Sequence, residues 1–356
     1  MKKLFISLIF ILTLSFAYCS KPIIYILGTG GTIAGVGPST VNYKAGTESV
    51  KEIIMKAVPD LEKIADIKTM QIFNKGSSEL TISDLLKIAE NVNKVIQQKD
   101  VSGVVITHGT DTLEETAFFL NLVIKTRKPI VITGAMRPAT SIGADGPMNI
   151  YRSVLVACNK NSFSKGVLVV LNDKIFGARD ITKISNSSVT AFASPNIGPL
   201  GFITGDQVLF FKKSIRRNTF NSEFNISKIN KIPKVIILYN DVGNSNLILT
   251  KACLKDKSIK GIVYAGTGMG SIPHFSNHTE ALDNLIIPLI EKNKTIVVRS
   301  RRPLSGTIFH EDSEWLPYKY ILSSSNLSPK KARILLMVAL TKTDNPEKIQ
   351  QMFMEY

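Results

Sequence analysis

Residues 103–113, GVVITHGTDTL, constrain the chain more than any other stretch. Val104, Val105 and Ile106 make a short apolar run of the kind that fills a buried strand. Residues 107–112 then gather hydroxyls, one carboxylate and one imidazole around Gly109. Leu113-Glu114-Glu115-Thr116-Ala117 opens a stretch with apolar residues at helical spacing. A strand buried on both faces needs parallel neighbours and covering helices. In such sheets the turn from strand to helix is where ligands bind, beside a helix N-terminus that favours negative charge. The same turn also reads as a capped helix start, with Thr110, Asp111 or Thr112 as N-cap and Glu114 and Glu115 in the first turn.

This pattern of strand, polar turn and helix recurs. Residues 23–27 are a strand, followed by the glycine-rich run 28–35. Ile33 stands where a dinucleotide loop needs its third glycine, and no Lys-Ser/Thr pair closes a phosphate loop. What remains is a glycine turn that presents Thr29 and Thr32. Residues 36–49 have loop composition with one ring, Tyr43, near the middle. That loop is either a surface loop anchored by its ring or a lid that carries a phenol over a site. Strands are expected at 67–73, 129–133 and 167–171, and helices at 81–99 and 149–158. The prediction is an α/β chain of two domains: a larger N-terminal doubly wound, mainly parallel sheet over 21–211 and a smaller C-terminal α/β domain over 234–356. Residues 212–233, polar and basic, read as the linker. The second domain is expected to run strand 235–239, helix 247–254, strand 261–265, loop 266–273, helix 280–291, strand 295–299 and helices 329–340 and 346–353.

Formal charge is +16, but the excess is mostly lysine scattered over polar helix faces, and no aromatic residues alternate with it. That describes a solvated basic surface rather than a nucleic-acid platform. The densest clusters, Lys212-Lys213 with Arg216-Arg217 and Lys228, Lys231 and Lys234, fall in or beside the linker. Residues 1–20 read as a signal peptide and short lead. Lys2 and Lys3 precede an apolar run, and small Ser15 and Ala17 fit a cut after Ala17, with Cys19 as the alternative. Bulky Tyr18 before Cys19 argues against lipid attachment. The run is short for a membrane span, so an exported protein free of the membrane is expected, in the periplasm. Cys158 and Cys253 are expected as buried free thiols on helices of different domains. The four histidines are dispersed and no zinc spacing occurs, so no metal or cofactor is expected.

In a doubly wound sheet the loops bearing Thr32, Ser77, Thr110, Asp111 and Lys183 lie along one edge. Hydroxyls with one carboxylate and one lysine suit nucleophilic chemistry in which a neighbour activates the hydroxyl. Lys183 beside Asp111 would polarise Thr110, and Tyr43 would do the same for Thr32.

Two runs carry a family resemblance: Thr29-Gly30-Gly31-Thr32-Ile33-Ala34, and Gly103 through His108-Gly109-Thr110-Asp111-Thr112-Leu113. Gly134-Ala135-Met136-Arg137-Pro138, Ala144-Asp145-Gly146-Pro147, Asn172-Asp173, Thr182-Lys183 and Pro329-x-Lys331-Ala332-Arg333 extend it. On these motifs the chain resembles the bacterial L-asparaginase/glutaminase family, and its leader is similar to that of exported, type II members.

The resemblance implies hydrolysis of the asparagine side-chain amide to aspartate and ammonia through a threonine acyl-enzyme, without cofactor and with glutaminase side activity open. It matches Thr32 to the nucleophile, Tyr43 to its activator, and Thr110, Asp111 and Lys183 to a second catalytic set. Ser77 and Asp111 match the residues that hold the α-carboxylate and α-ammonium, and donors near Thr110 and Ala135 are expected at the oxyanion. Ser78 stands where the family commonly has Gln or Glu. Ser271, with Glu314 or Glu311, matches positions that a neighbouring subunit contributes, which implies a homotetramer with shared sites. An amidotransferase subunit acting on glutamine and charged tRNA would lack the leader and carry a further N-terminal domain. A periplasmic amino-acid-binding protein would share the leader and two lobes, but has no need of Thr32, Tyr43, Thr110 and Lys183 together.

Overall fold

The computed structural model describes residues 20–58, 60–243, 246–272 and 286–356. Five strands form the parallel body of the first sheet: β1 (Ile23–Gly30), β2 (Asp66–Lys75), β3 (Val101–Thr107), β4 (Ile130–Thr133) and β5 (Val167–Leu171), in the order β5-β4-β3-β1-β2. All the side chains of β4 and β5 are buried, which is why these runs are apolar without alternation.

Beyond β5 the chain doubles back, a departure from the simple strand-turn-helix pattern. Asn172 and Asp173 both have positive φ, 48° and 65°, a two-residue hairpin that the right-handed twist of the strands favours. It leads into β6 (Lys174–Gly177), antiparallel to β5. Next, β7 (Thr182–Lys183) and β8 (Phe192–Ala193) pair as a separate ribbon. The antiparallel strands β9 (Gly201–Thr204) and β10 (Gln207–Phe210) complete an eight-stranded sheet.

Helices α1 (Val50–Ala57), α2 (Leu61–Ile64) and α5 (Gly146–Cys158) share a core with one face of this sheet. Helices α3 (Ile82–Ile96) and α4 (Leu113–Val123) cover the other. A capping box starts α3, with Thr81 Oγ1 accepting from the Asp84 N–H while the Asp84 carboxylate accepts from the Thr81 N–H.

The second sheet is parallel throughout: β11 (Lys234–Tyr239), β12 (Ile259–Gly266), β13 (Ile296–Arg301) and β14 (Ile321–Ser323), side by side in chain order. With it go α6 (Leu247–Lys255), α7 (Ile287–Asn293), α8 (Pro329–Ala339) and α9 (Pro346–Glu355). The helix expected over 280–291 begins outside the described residues; its described part is α7. β14, three residues long, gave no sequence signal. Helix α4 packs against the first sheet and against α8, which lies on β11 and β12. Every residue of α4 except Glu115 is therefore buried, and Phe119 and Val263 belong to one continuous core.

Residues 212–233 contain two 3₁₀ turns, and Phe224, Ile226 and Ile229 enter that same core. Cys158 and Cys253 are free and lie on α5 and α6, but both are half-buried rather than buried. Cys19 and the leader lie outside the described residues. Among the described residues no helix is long and apolar enough to cross a membrane.

Candidate active site

Strand β1 has β2 on one side and β3 on the other. The loops that follow β1 and β3 therefore leave the sheet in different directions, and a crevice opens between them. Thr32 follows β1 and Thr110 follows β3. The two loops touch: a Cβ on Gly31, whose φ is 83°, would lie 2.3 Å from Gly109 Cα. A Cβ on Gly109 would lie 2.6 Å from Ser77 Oγ. Only glycine lets these three segments meet.

The first half of the site is built on β1. Val36 and Lys44 pair in both directions (3.2 and 3.0 Å), and the Gly46 N–H reaches back to Gly31 O at 3.0 Å. The loop so folded carries the half-buried Tyr43 ring over the 3₁₀ turn Thr32–Ala34. Thr32 Oγ1 and Tyr43 Oη are 2.9 Å apart.

The second half is built on β3 and β7. Lys183 Nζ donates to Thr110 Oγ1 at 2.9 Å and to Asp111 Oδ1 at 2.7 Å. The Lys183 side chain is 14% exposed and that of Asp111 61%, so the lysine is sheltered while the carboxylate looks out into the cleft. Ser77, buried, accepts the Asp111 N–H at 3.1 Å, which leaves its own proton free for an acceptor. Thr112 sits at the N-cap of α4 but makes no capping bond; its hydroxyl donates instead to Ser77 O at 2.9 Å. The cap expected of Thr112 is thus replaced by a tie between the Ser77 turn and the Thr110 turn.

His108 is fully buried. Nδ1 faces Gly109 O at 2.7 Å, and Nε2 faces Thr116 Oγ1 at 3.0 Å. A carbonyl only accepts, so Nδ1 carries the proton and Nε2 accepts from Thr116. Burial brings the imidazole down to about 4, with the Gly109 bond opposing. The ring is a neutral brace for the turn.

Sequence reasoning missed Glu114. Its carboxylate is fully buried and accepts from Thr182 Oγ1 at 3.1 Å and from the Lys183 N–H at 3.2 Å. From α8, Lys330 reaches the same Oε1, and Lys331 Nζ lies 3.6 Å from Oε2. Burial opposes its charge, but Lys331 and Lys330 together hold the carboxyl below the usual range. Burial also pulls Lys331 down, to about 8, with Glu114 offsetting part of that. The available signal was Glu114 at the head of a mostly apolar helix, where a carboxylate needs buried partners.

Of the other expected residues, Ala135 is buried beside the turn, and Ser78 is exposed. Ser271 belongs to the loop after β12, where its N–H bonds Thr267 O at 3.0 Å. Glu311 and Glu314 are exposed on the segment between β13 and β14. Among the described residues, the cleft wall with Asp111 and Lys183 is lined by Ile184, Ser185, Asn186 and Lys330, not by these three. Nor does any group of three or more His, Cys, Asp or Glu there form a metal cluster.

Fold and site together define an α/β protein with two threonines, each hydrogen-bonded to its own partner, at a sheet switch point. The description "Asparaginase, N-terminal" matches residues 23–216, and "Glutaminase/Asparaginase C-terminal domain" matches residues 234–353. The chain belongs to the asparaginase/glutaminase family. It is 44% identical to the probable periplasmic L-asparaginase of Haemophilus influenzae, over 94% of this chain and 93% of that one. It is 42% identical to L-asparaginase 2 of Escherichia coli (96% and 95% covered) and to the glutaminase-asparaginase of Pseudomonas fluorescens biotype A (94% and 90%). The crystal structure of a probable cytoplasmic L-asparaginase from Campylobacter jejuni superposes with a TM-score of 0.87 at 44% identity, covering 94% of this chain and all of that one.

Proposed function

We propose that the protein hydrolyses the side-chain amide of L-asparagine to L-aspartate and ammonia, with L-glutamine as a secondary substrate. The carrying observation is the pair of hydroxyls, each with its own partner: Thr32 with Tyr43 and Thr110 with Lys183. Asp111 meets the substrate ammonium and the Ser77 hydroxyl donates to its carboxylate, a zwitterion clamp that fixes the amide in the crevice. Thr32 Oγ attacks the amide carbon as its proton passes toward Tyr43. Backbone N–H groups near Thr110 and Ala135 steady the oxyanion. The C–N bond breaks as the leaving nitrogen takes a proton, and ammonia departs. A water polarised by the Thr110–Lys183–Asp111 set then cleaves the Thr32 ester and releases aspartate.

Relatives named both L-asparaginase and glutaminase-asparaginase support this substrate class. One methylene is worth about 1–3 kcal/mol in a pocket, so side-by-side kcat/KM on the two amides measures the preference. A coupled ammonia assay tests the reaction itself. Thr32→Ala is expected to abolish turnover, and Thr110→Val and Lys183→Met to remove most of it. Ammonia release from Thr32→Ala at the wild-type rate would overturn the assignment.

We read the chain as two domains, 21–211 and 234–356, joined by 212–233. We also read it as an exported protein, from its leader and from the H. influenzae relative named periplasmic; the C. jejuni neighbour is named cytoplasmic. Intact mass of the mature protein from the periplasmic fraction checks export and the cleavage site. We further propose a homotetramer in which Ser271, with Glu314 or Glu311, completes the cleft of a neighbouring subunit; in its own chain each lies on the second domain, outside the cleft wall of Asp111 and Lys183.

A further inference from the structure

A cavity of about 480 Å³ lies where the end of β6 and residues 177–180 face residues 212–216. It shares no lining residue with the Thr32–Lys183 site. Five cationic side chains border it: Lys165, Arg179, Lys212, Lys213 and Arg216. One carboxylate, Asp180, is also present, but it is occupied, accepting from Asn196 N (3.1 Å), Asn196 Nδ2 (2.5 Å) and Ile197 N (3.1 Å). The basic cluster that reads as a solvated surface in sequence is therefore gathered around a hollow.

These cations outnumber the one carboxylate side chain beside them, Asp180, whose charge partly offsets the pull of burial on Arg179. Arg179 gives its Nε–H to Tyr356 O at 2.8 Å, while its Nη2 is buried with no partner. Lys212 donates to a carbonyl, Ile197 O, and Lys165 rests over the Phe210 ring, 4.7 Å from its centroid. Lys213 and Arg216 make no side-chain hydrogen bond or ion pair among the described residues. Burial and the charge of Arg216 bring the Arg179 guanidinium down to about 10; burial and Lys213 lower Lys165 in the same sense. A second orphan, Asn326 Oδ1, is buried on the same wall. Its amide flips at no cost in shape and would then offer N–H donors.

Val167, Ile197 and Leu200 supply apolar walls that thin the water and strengthen attraction to an anion. A planar guanidinium with a free N–H suits an oxyanion, five clustered cations suit one of multiple charge such as phosphate, and the volume suits a small molecule. We propose that this cavity binds a phosphate-class oxyanion, either free or as the phosphate of a small organic ester.

Titration calorimetry of the full-length mature protein tests this with inorganic phosphate, adenosine monophosphate and adenosine. Saturable binding of one phosphate or one adenosine monophosphate per chain is expected. A clear preference for the nucleotide marks the ester as the source, and equal affinity marks the free oxyanion. The pair Lys213→Gln/Arg216→Gln, both outside the asparagine cleft, is expected to weaken binding about tenfold or more while asparagine hydrolysis stays unchanged. Lys165→Gln is expected to act in the same direction. The control Lys51→Gln/Lys94→Gln removes the same net charge from exposed positions elsewhere and is expected to leave binding intact. The proposal is overturned if adenosine binds as well as its phosphate. It is equally overturned if neither phosphate ligand saturates up to about 10 mM, or if the control loses as much affinity as the pocket pair.

Discussion

At the scale of single residues, chemistry is decided by which partner each polar atom finds. His108 sits in the polar turn between Thr107 and Gly109-Thr110, and its ring bonds occupy both nitrogens. Its cost appears in stability. The folded chain takes the proton only at about 4, whereas an unfolded histidine takes it near 6.5. Between those values the unfolded state binds more protons, so stability falls as pH drops from about 6.5 toward 4. The full loss is on the order of 3 kcal/mol. Urea midpoints measured from pH 7 to 4.5 are expected to fall, with a shallower fall in His108→Gln. Identical slopes for the two proteins would remove His108 from this role. Thr32, Thr110, Asp111, Tyr43 and Lys183 were legible as candidates because residue type and motif order single them out without coordinates, and the fold brings Thr32 to Tyr43 and Lys183 to Thr110 and Asp111. Glu114 was not, since its importance lies in contacts with Thr182 and α8, about seventy and two hundred residues away.

At the scale of elements, α4 joins the sheet to the second domain, and Glu114 in its first turn is the polar part of that joint. By fixing the Lys183 N–H and the Thr182 hydroxyl, it aims the Lys183 side chain at Thr110. We therefore expect Glu114→Gln to lower kcat about tenfold with little change in KM, a coupling within the usual range for contacting residues. In a Lys183→Met background the same change is expected to cost almost nothing further. Equal losses in both backgrounds, or a fall in melting temperature with full kcat, would assign Glu114 to stability alone. Thr182→Val, which removes one of the bonds and keeps the shape, is expected to show a smaller effect of the same sign. The long parallel strands and the helices α3 to α9 followed from apolar runs and periodicity, whereas the short α1, α2 and β14 did not. The antiparallel edge of β6, β9 and β10 did not, because strands of four residues carry too little alternation. The Asn172-Asp173 hairpin was the one local cue to it, since both residues tolerate positive φ.

At the scale of the whole molecule, a site divided between subunits makes a distinctive prediction. On the proposed sharing, Lys183→Met chains would lack the second set, and Glu314→Gln chains would lack the acid lent to a neighbour. Co-refolded together, they are expected to regain activity, because some mixed interfaces hold one intact site. Activity no greater than the sum of the two parents would count against sharing, or point to Glu311 when the Glu314 variant alone is fully active. Sequence alone determined the two α/β halves and singled out most of the candidate reacting groups, because burial patterns and the residue types of chemistry are written locally. Only tertiary structure decided which groups meet. It set Tyr43 on Thr32, tied Thr112 to Ser77 rather than to its own helix, buried Glu114 under Lys331, and folded a basic run around a cavity. All but the Tyr43–Thr32 contact, which one loop makes over eleven residues, join segments far apart in the chain, and packing rather than local preference fixes their distance.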